Sequence, residues 1–90
     1  MKLTRTVEVR NKRGLHARAS AKFVTLASQI DAAVVVEKDG TSVCGTSIMG
    51  LMMLGAAMGD SITISASGVG AELAIEQLVE LVEARFHEEA

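Results

Sequence analysis

The spacing of apolar residues changes from one segment of this chain to the next, and this feature constrains the fold most. Residues 3–9, "LTRTVEV", alternate apolar and polar side chains, so Leu3, Val7 and Val9 can share one face of a strand. From Ala17 to Ile30 the apolar residues instead recur at the spacing of a helix. This part of the chain therefore predicts a strand, a polar loop and then a helix.

The remaining segments continue this succession. Residues 32–38 are rich in valine and predict a strand, Asp39-Gly40 is a hairpin-turn signal, and residues 41–44 predict a second, short strand. Residues 48–54, "IMGLMML", predict a short helix, and residues 61–67, "SITISAS", alternate as a strand. A long amphipathic helix is expected over residues 71–86.

The predicted order is βαββαβα. We expect an α+β open-faced sandwich, in which a four-stranded antiparallel sheet carries three helices on one face. The length of 90 residues favours a single domain over residues 1–90. With only two aromatic residues, the core must be built from Val, Ile, Leu, Ala and Met, and we expect Cys44 to be buried as a small apolar residue.

The charged residues are distributed unevenly along the chain. The net charge of -2 gives no electrostatic argument for nucleic-acid binding. Acidic residues gather between Glu72 and Glu89. Basic residues gather near the first predicted helix: Arg10, Lys12, Arg13, Arg18 and Lys22. This asymmetry predicts an anionic ligand or an acidic partner near residues 10–22.

The compartment is inferred from the single cysteine and from hydropathy. One cysteine cannot form an intrachain disulfide, and the first residues lack the apolar core of a signal peptide. The uncharged run 40–59 is broken by Gly, Ser and Thr, and its strongly apolar part is too short to span a bilayer. We expect a cytoplasmic protein without membrane insertion, and we expect neither a cofactor nor a metal site.

His16 stands where the loop ends and the first helix begins. The first N–H groups of a helix have no partners within the helix and, together with the helix dipole, attract an anion. Arg18 in the first turn can add its guanidinium. These positive groups favour a neutral imidazole, which is a nucleophile, and they would stabilise a phosphoryl group bound to it. His16 is therefore a candidate phosphoryl acceptor. Alternatively, it is only a helix-start residue among solvated charges.

Two segments, "GLHARASAKFV" and "TSIMGLMMLG", together resemble the HPr family, the histidine phosphocarriers of the bacterial phosphotransferase system. The resemblance implies that Nδ1 of His16 is phosphorylated, that Arg18 is the arginine beside it, and that Ser47 matches a serine phosphorylated by a regulatory kinase in some members. It implies enzyme I as donor and an enzyme IIA as acceptor, with HPr kinase/phosphorylase as a further partner. We expect a monomer.

Ser47 and the short helix after it have two interpretations each. Ser47 has the chemistry of a helix N-cap, so capping alone would explain it, and phosphorylation is the alternative. Leu51 and Leu54 are expected in the core. The exposed remainder would dock partners, because flexible methionine adapts to different surfaces; otherwise these residues only fill the core. The docking candidates are Ala17, Ala21, Ile48, Met49 and Met52.

The leading hypothesis is a phosphoryl carrier, not an enzyme in the strict sense, serving sugar transport or nitrogen-related regulation. The alternative is a regulatory binding module that is controlled by phosphorylation of Ser47 and relays little phosphate. A third hypothesis is a small-anion binding domain. It predicts tight phosphate binding without an acid-labile adduct.

Overall fold

A computed structural model of the protein describes residues 2–88. The elements are, in chain order, β1 (Lys2–Glu8), α1 (Ala17–Ser28), β2 (Ala33–Lys38), β3 (Thr41–Cys44), α2 (Ile48–Met53), β4 (Ser61–Ser67) and α3 (Ala71–Glu83). The expected order βαββαβα is confirmed. Glu89, one of the acidic residues counted above, lies outside the described residues. Within residues 2–88, no helix has the length and the hydropathy that crossing a membrane requires.

The four strands form one antiparallel sheet in the order β1-β4-β2-β3. Helices cover one face of the sheet. The alternate side chains on that face are buried, among them Val34, Val36, Ile62 and Ile64. The other face is exposed and rich in hydroxyl groups. Thr4 and Thr6 of β1 hydrogen-bond Ser65 and Thr63 of β4 across this face. The expected open-faced sandwich is therefore confirmed.

The core lies between the sheet and the helices. Its largest fully buried side chains include Phe23 of α1, Leu51 of α2, Leu78 of α3 and Ile62 of β4. The expectation that methionine helps to fill the core is wrong for the described methionines, since Met49, Met52, Met53 and Met58 are all exposed. For the three methionines of α2, the reason is that this helix is short and buries only the side that carries Leu51.

Cys44 is exposed, so the prediction of a buried cysteine is wrong. Its strand, β3, is an edge strand of the sheet, and Cys44 lies opposite Val35, which is also exposed. Directly opposed residues share a face of an antiparallel sheet. Cys44 therefore points away from the helices, on the open face.

The last helix is shorter than expected. Helix α3 ends at Glu83, and Arg85, Phe86 and His87 follow in a left-handed turn with φ values of 58°, 54° and 58°. We call Arg85–His87 the C-terminal turn. It buries the ring of Phe86 completely, and the Lys22 ammonium of α1 donates a 2.7 Å hydrogen bond to the Phe86 carbonyl. Left-handed conformation costs about 1–2 kcal/mol per residue, which burying a phenyl ring, worth about 1.5–3 kcal/mol, only partly offsets.

Candidate functional site

His16 is the N-cap residue of α1, as its position at the end of the polar loop predicts. Its backbone is extended, and its ring turns back over the helix end, where Nδ1 accepts a 3.3 Å hydrogen bond from the Arg18 backbone N–H. Only 14% of the side chain is exposed. The imidazole is thus held at the positive end of α1, with Nδ1 facing the free N–H groups of its first turn.

The loop before His16 is held against residues 56–60 by backbone hydrogen bonds. The N–H of Leu15 donates to the Ala56 carbonyl over 2.9 Å, and that of Val9 donates to the Asp60 carbonyl over 2.8 Å. Gly14 allows this approach, because its φ is 62° and a Cβ there would lie 2.2 Å from the Ala56 oxygen. Glycine is the residue that tolerates both conditions. The loop geometry therefore sets where α1, and with it His16, begins.

A carboxylate completes the surroundings of the imidazole. Nε2 of His16 hydrogen-bonds Oε2 of Glu88, the residue after the C-terminal turn. The Asn11 amide donates to the other carboxylate oxygen over 3.0 Å and to the Gly14 carbonyl over 2.8 Å. The side chain of Glu88 is only 17% exposed. Loop 10–16, the start of α1 and the C-terminal turn therefore meet around one histidine.

Positive charge dominates the remaining wall of the site. A cavity of about 570 Å³ opens beside His16, and six cationic side chains line it: Arg10, Lys12, Arg13, Arg18, Lys22 and Arg85. Partial burial raises the pKa of the Glu88 carboxyl. Hydrogen bonds from Asn11 and His16, together with the positive charges of Lys22 and of a protonated His16, lower it by more, so the pKa lies below its ordinary value. Glu88 is thus a carboxylate at neutral pH, in a site otherwise suited to an anion.

Helix α2 presents the second group of predicted residues. The hydroxyl of Ser47 accepts a 2.9 Å hydrogen bond from the Gly50 N–H, which confirms that Ser47 caps α2. Ile48, Met49 and Met52 are 40%, 72% and 43% exposed. Leu51 and Leu54 are buried, as expected.

The structure groups these residues in two neighbouring places. Arg18 and Lys22 line the cavity with His16, while Ser47 and the exposed side chains of α2 do not. On α1, Ala17 is exposed and Ala21 is half-buried. Helix α2 packs against α1, so the two groups lie on neighbouring helices.

Sequence reasoning missed Glu88 and Asn11. The sequence signal for Glu88 was weak, namely an acidic C-terminal segment in a chain whose basic residues gather near His16. An asparagine shortly before a glycine gives a turn signal, which did not reveal a link to the C-terminal segment. Within the described part of the chain, no group of three His, Cys, Asp or Glu side chains is placed to hold a metal ion.

The comparison with protein families bears directly on this arrangement. Residues 3–84 match the family model described as the PTS HPr component phosphorylation site. The chain belongs to the HPr family. HPr proteins are phosphocarriers and not catalysts, and at this level the chain is a phosphocarrier protein.

Named relatives match nearly the whole chain. Phosphocarrier protein NPr of Shewanella violacea is 40% identical over 97% of this chain and 96% of its own length. Phosphocarrier protein HPr of Neisseria meningitidis is 45% identical over 96% of this chain and 97% of its own length. HPr-like protein Crh of Bacillus subtilis is 44% identical over 86% and 91%.

A solved structure has the same fold over nearly the whole chain. The crystal structure of HPr-C-His from Thermoanaerobacter tengcongensis matches with a TM-score of 0.93 at 45% identity, over 98% of this chain and 99% of that one. The open-faced sandwich described above is therefore the HPr fold.

Proposed function

We propose that this protein accepts a phosphoryl group on Nδ1 of His16 from enzyme I and passes it to an enzyme IIA domain. The observation that carries the proposal is the position of the imidazole as the N-cap of α1, with Nδ1 toward the helix N–H groups. A phosphoryl group on Nδ1 would lie where backbone donors and the helix dipole attract an anion. The membership of the HPr family supports the same chemistry.

The cations around the cavity support the phosphorylated state. Arg18, in the first turn of α1, lines the same cavity as His16, so its guanidinium can reach a phosphoryl group there. A guanidinium binds phosphate oxygens through two parallel hydrogen bonds, which are stronger than bonds between neutral groups. We therefore assign the phosphoryl acceptor to His16 and stabilisation of the phosphate to Arg18.

The exposed part of α2 is the proposed docking surface, together with Ala17 and Ala21 of α1. Its large apolar side chains include Ile48, Met49 and Met52, which are 40–72% exposed on a helix without a charged residue. Flexible methionine side chains suit a surface that must bind both a donor and an acceptor. The partners would supply the rest of the catalytic groups.

The test is phosphorylation by enzyme I and phosphoenolpyruvate. Wild-type protein should take up an acid-labile, base-stable phosphoryl group, and His16→Asn should take up none. Asparagine is chosen because it keeps an N-cap acceptor, so α1 should remain capped. His87→Asn is the control, because it removes the other histidine of the chain. Acid-labile label on His16→Asn would contradict the assignment.

Regulation through Ser47 is a second candidate function, and the similarity to Crh of Bacillus subtilis, which is described as a catabolite repression HPr, favours it. A phosphate on Ser47 would add roughly -1.5 to -2 charges beside Ile48 and Met49. The start of α2 would partly accommodate the charge in the free protein, so most of the penalty should arise when a partner covers it. A regulatory kinase such as HPr kinase/phosphorylase would be the modifying partner.

Ser47→Asp and Ser47→Asn separate the charge from the cap. Both replacements cap a helix, but only aspartate is charged. Ser47→Asp should weaken transfer from enzyme I at low carrier concentration, while Ser47→Asn should transfer like wild type. Phosphorylation of wild-type Ser47 by the kinase should slow transfer further. Unchanged transfer kinetics after stoichiometric phosphorylation would leave Ser47 with capping alone.

A further inference from the structure

The acidic residue beside His16 is unexpected in a site for an anion. The incoming phosphoryl group is negative, and a carboxylate next to its acceptor repels it. Nevertheless Glu88 contacts Nε2 of His16 directly, and it is held there by Asn11. The position of the Glu88 carboxylate is therefore a specific feature of the site, and its effect on the imidazole of His16 should explain it.

The contact between Glu88 and His16 depends on the conformation of the C-terminal turn. Three consecutive residues that are not glycine adopt left-handed φ values there, and this is unfavourable for L-residues. Two contacts hold the turn: Phe86 is fully buried, and Lys22 donates to its carbonyl over 2.7 Å. After this turn, the side chain of Glu88 reaches His16 at the start of α1.

The two hydrogen bonds of the imidazole are compatible with one arrangement of the neutral ring. A carboxylate can only accept hydrogen bonds, so Nε2 must carry the hydrogen toward Glu88. A backbone N–H can only donate, so Nδ1 must be the acceptor toward Arg18. The carboxylate contact is the stronger of the two, because it is charge-assisted whereas the N–H contact is 3.3 Å long.

We infer that Glu88 is a positioning residue, which keeps the hydrogen of His16 on Nε2 and thereby leaves the lone pair on Nδ1. The role in transfer rests on the proposed function, but the assignment of the hydrogen does not. The lowered pKa of Glu88 supports a carboxylate at this place at neutral pH. The groups facing it are the titratable ring of His16 and the positive charges of Lys22 and the other cations of the cavity wall.

The transfer step then needs no movement of a proton. The lone pair of Nδ1 forms a bond to phosphorus of the phosphorylated donor protein, and the bond from phosphorus to the donor breaks, its electron pair returning to the donor. Nε2 keeps its hydrogen, and the ring gains a positive charge next to the Glu88 carboxylate. When an acceptor protein takes the phosphoryl group, the N–P electron pair returns to Nδ1.

The experiment compares Glu88→Gln with Glu83→Gln in protein labelled with ¹⁵N. Glutamine can both donate and accept, so it no longer dictates which ring nitrogen carries the hydrogen. Glu83 is exposed at the end of α3, and its replacement makes the same change of charge away from the ring. Ring nitrogens are observed by two-bond ¹H–¹⁵N correlation at about pH 8.5, above the ordinary histidine value of about 6.5.

Wild type and Glu83→Gln should show hydrogen on Nε2 only. Glu88→Gln should show a detectable form with hydrogen on Nδ1, and its rate of phosphoryl uptake should fall about 10- to 100-fold, the range found when the hydrogen-bond partners that orient metal-bound histidines are removed. A ring with hydrogen on Nδ1 in wild type would overturn the inference. So would Glu88→Gln with an unchanged ring or an unchanged rate.

The two readouts separate this inference from the proposed function. If wild type takes up no phosphoryl group but the hydrogen shifts in Glu88→Gln, the carrier function fails and the positioning by Glu88 stands. If Glu88→Gln takes up phosphate as fast as Glu83→Gln, the positioning role fails and the carrier function stands.

Discussion

Replacing Gly14 with alanine should destabilise the protein through two separate effects. The first is conformational: φ at Gly14 is 62°, and a left-handed residue with a Cβ costs about 1–2 kcal/mol. The second is steric, because the new Cβ would lie 2.2 Å from the Ala56 oxygen and 2.9 Å from Ala57 Cα, both backbone atoms. Relieving such overpacking costs about 1–3 kcal/mol. We expect a total loss of about 2–5 kcal/mol for Gly14→Ala.

Gly55 provides a matched control. Its φ is 66°, but a Cβ there would meet nothing within 4 Å. Gly55→Ala should therefore lose only the conformational part, about 1–2 kcal/mol. Both variants and wild type are unfolded in urea and followed by circular dichroism, which gives the free energy of unfolding.

The difference between the two variants isolates the contact of the loop with Ala56. It should be at least about 1 kcal/mol, the lower limit for overpacking. Because His16 follows two residues after Gly14, phosphoryl uptake should also fall in Gly14→Ala. Losses of stability that agree within about 0.5 kcal/mol, the range of ordinary surface changes, would show that residues 56 and 57 move away freely, and the steric argument would be wrong.

Three further predictions concern α2, β3 and the C-terminal segment. Met49→Glu should change the free energy of unfolding by no more than about 0.5 kcal/mol but should weaken transfer from enzyme I. As a control, Leu51→Ala should lose about 2–5 kcal/mol. A loss of stability from Met49→Glu as large as that from Leu51→Ala would place Met49 in the core. Hydrogen bonds from the side chain and then the backbone of Thr46 lower the pKa of the Cys44 thiol below its ordinary value of 9.0. Iodoacetamide should therefore react with Cys44 at a lower pH in wild type than in Thr46→Val. Coincident pH profiles of the two proteins would refute this. The lowered pKa of Glu88 stabilises the fold above the ordinary value of 4.5, and this contribution is lost as pH falls through the folded value. Urea unfolding should show that the advantage of wild type over Glu88→Gln disappears in acid, and a constant advantage would contradict the lowered pKa.

The order of helices and strands could be predicted because each segment carries its own period of apolar residues. The errors occurred where a tertiary contact decides the local conformation. Phe86 continues the helical spacing of α3, but its ring is buried from a left-handed turn. Cys44 is small and apolar, yet its strand is at a sheet edge and places it on the open face.

The candidate site could be predicted as far as it depends on local signals. His16 and Ser47 both stand immediately before a helical pattern, and both cap a helix in the structure. Glu88 could not be predicted in this way, because it is 72 residues from His16 along the chain. The turn that brings it back has a conformation that its residue types disfavour, so no propensity indicates it.

The strand order has a consequence for how the chain folds. Strand β1 has one neighbour in the sheet, β4, and the hydrogen-bonded pair Thr4 and Ser65 are 61 residues apart. A chain that ends before Ser61 can form the β2–β3 hairpin but leaves β1 without a partner. Closing a loop of roughly 60 residues loses entropy before any pairing compensates for it. Association of β1 with β4 is therefore expected to limit the folding rate, since pairings distant in sequence slow folding. Helix α1, whose N-cap is His16, should become fixed only after that step.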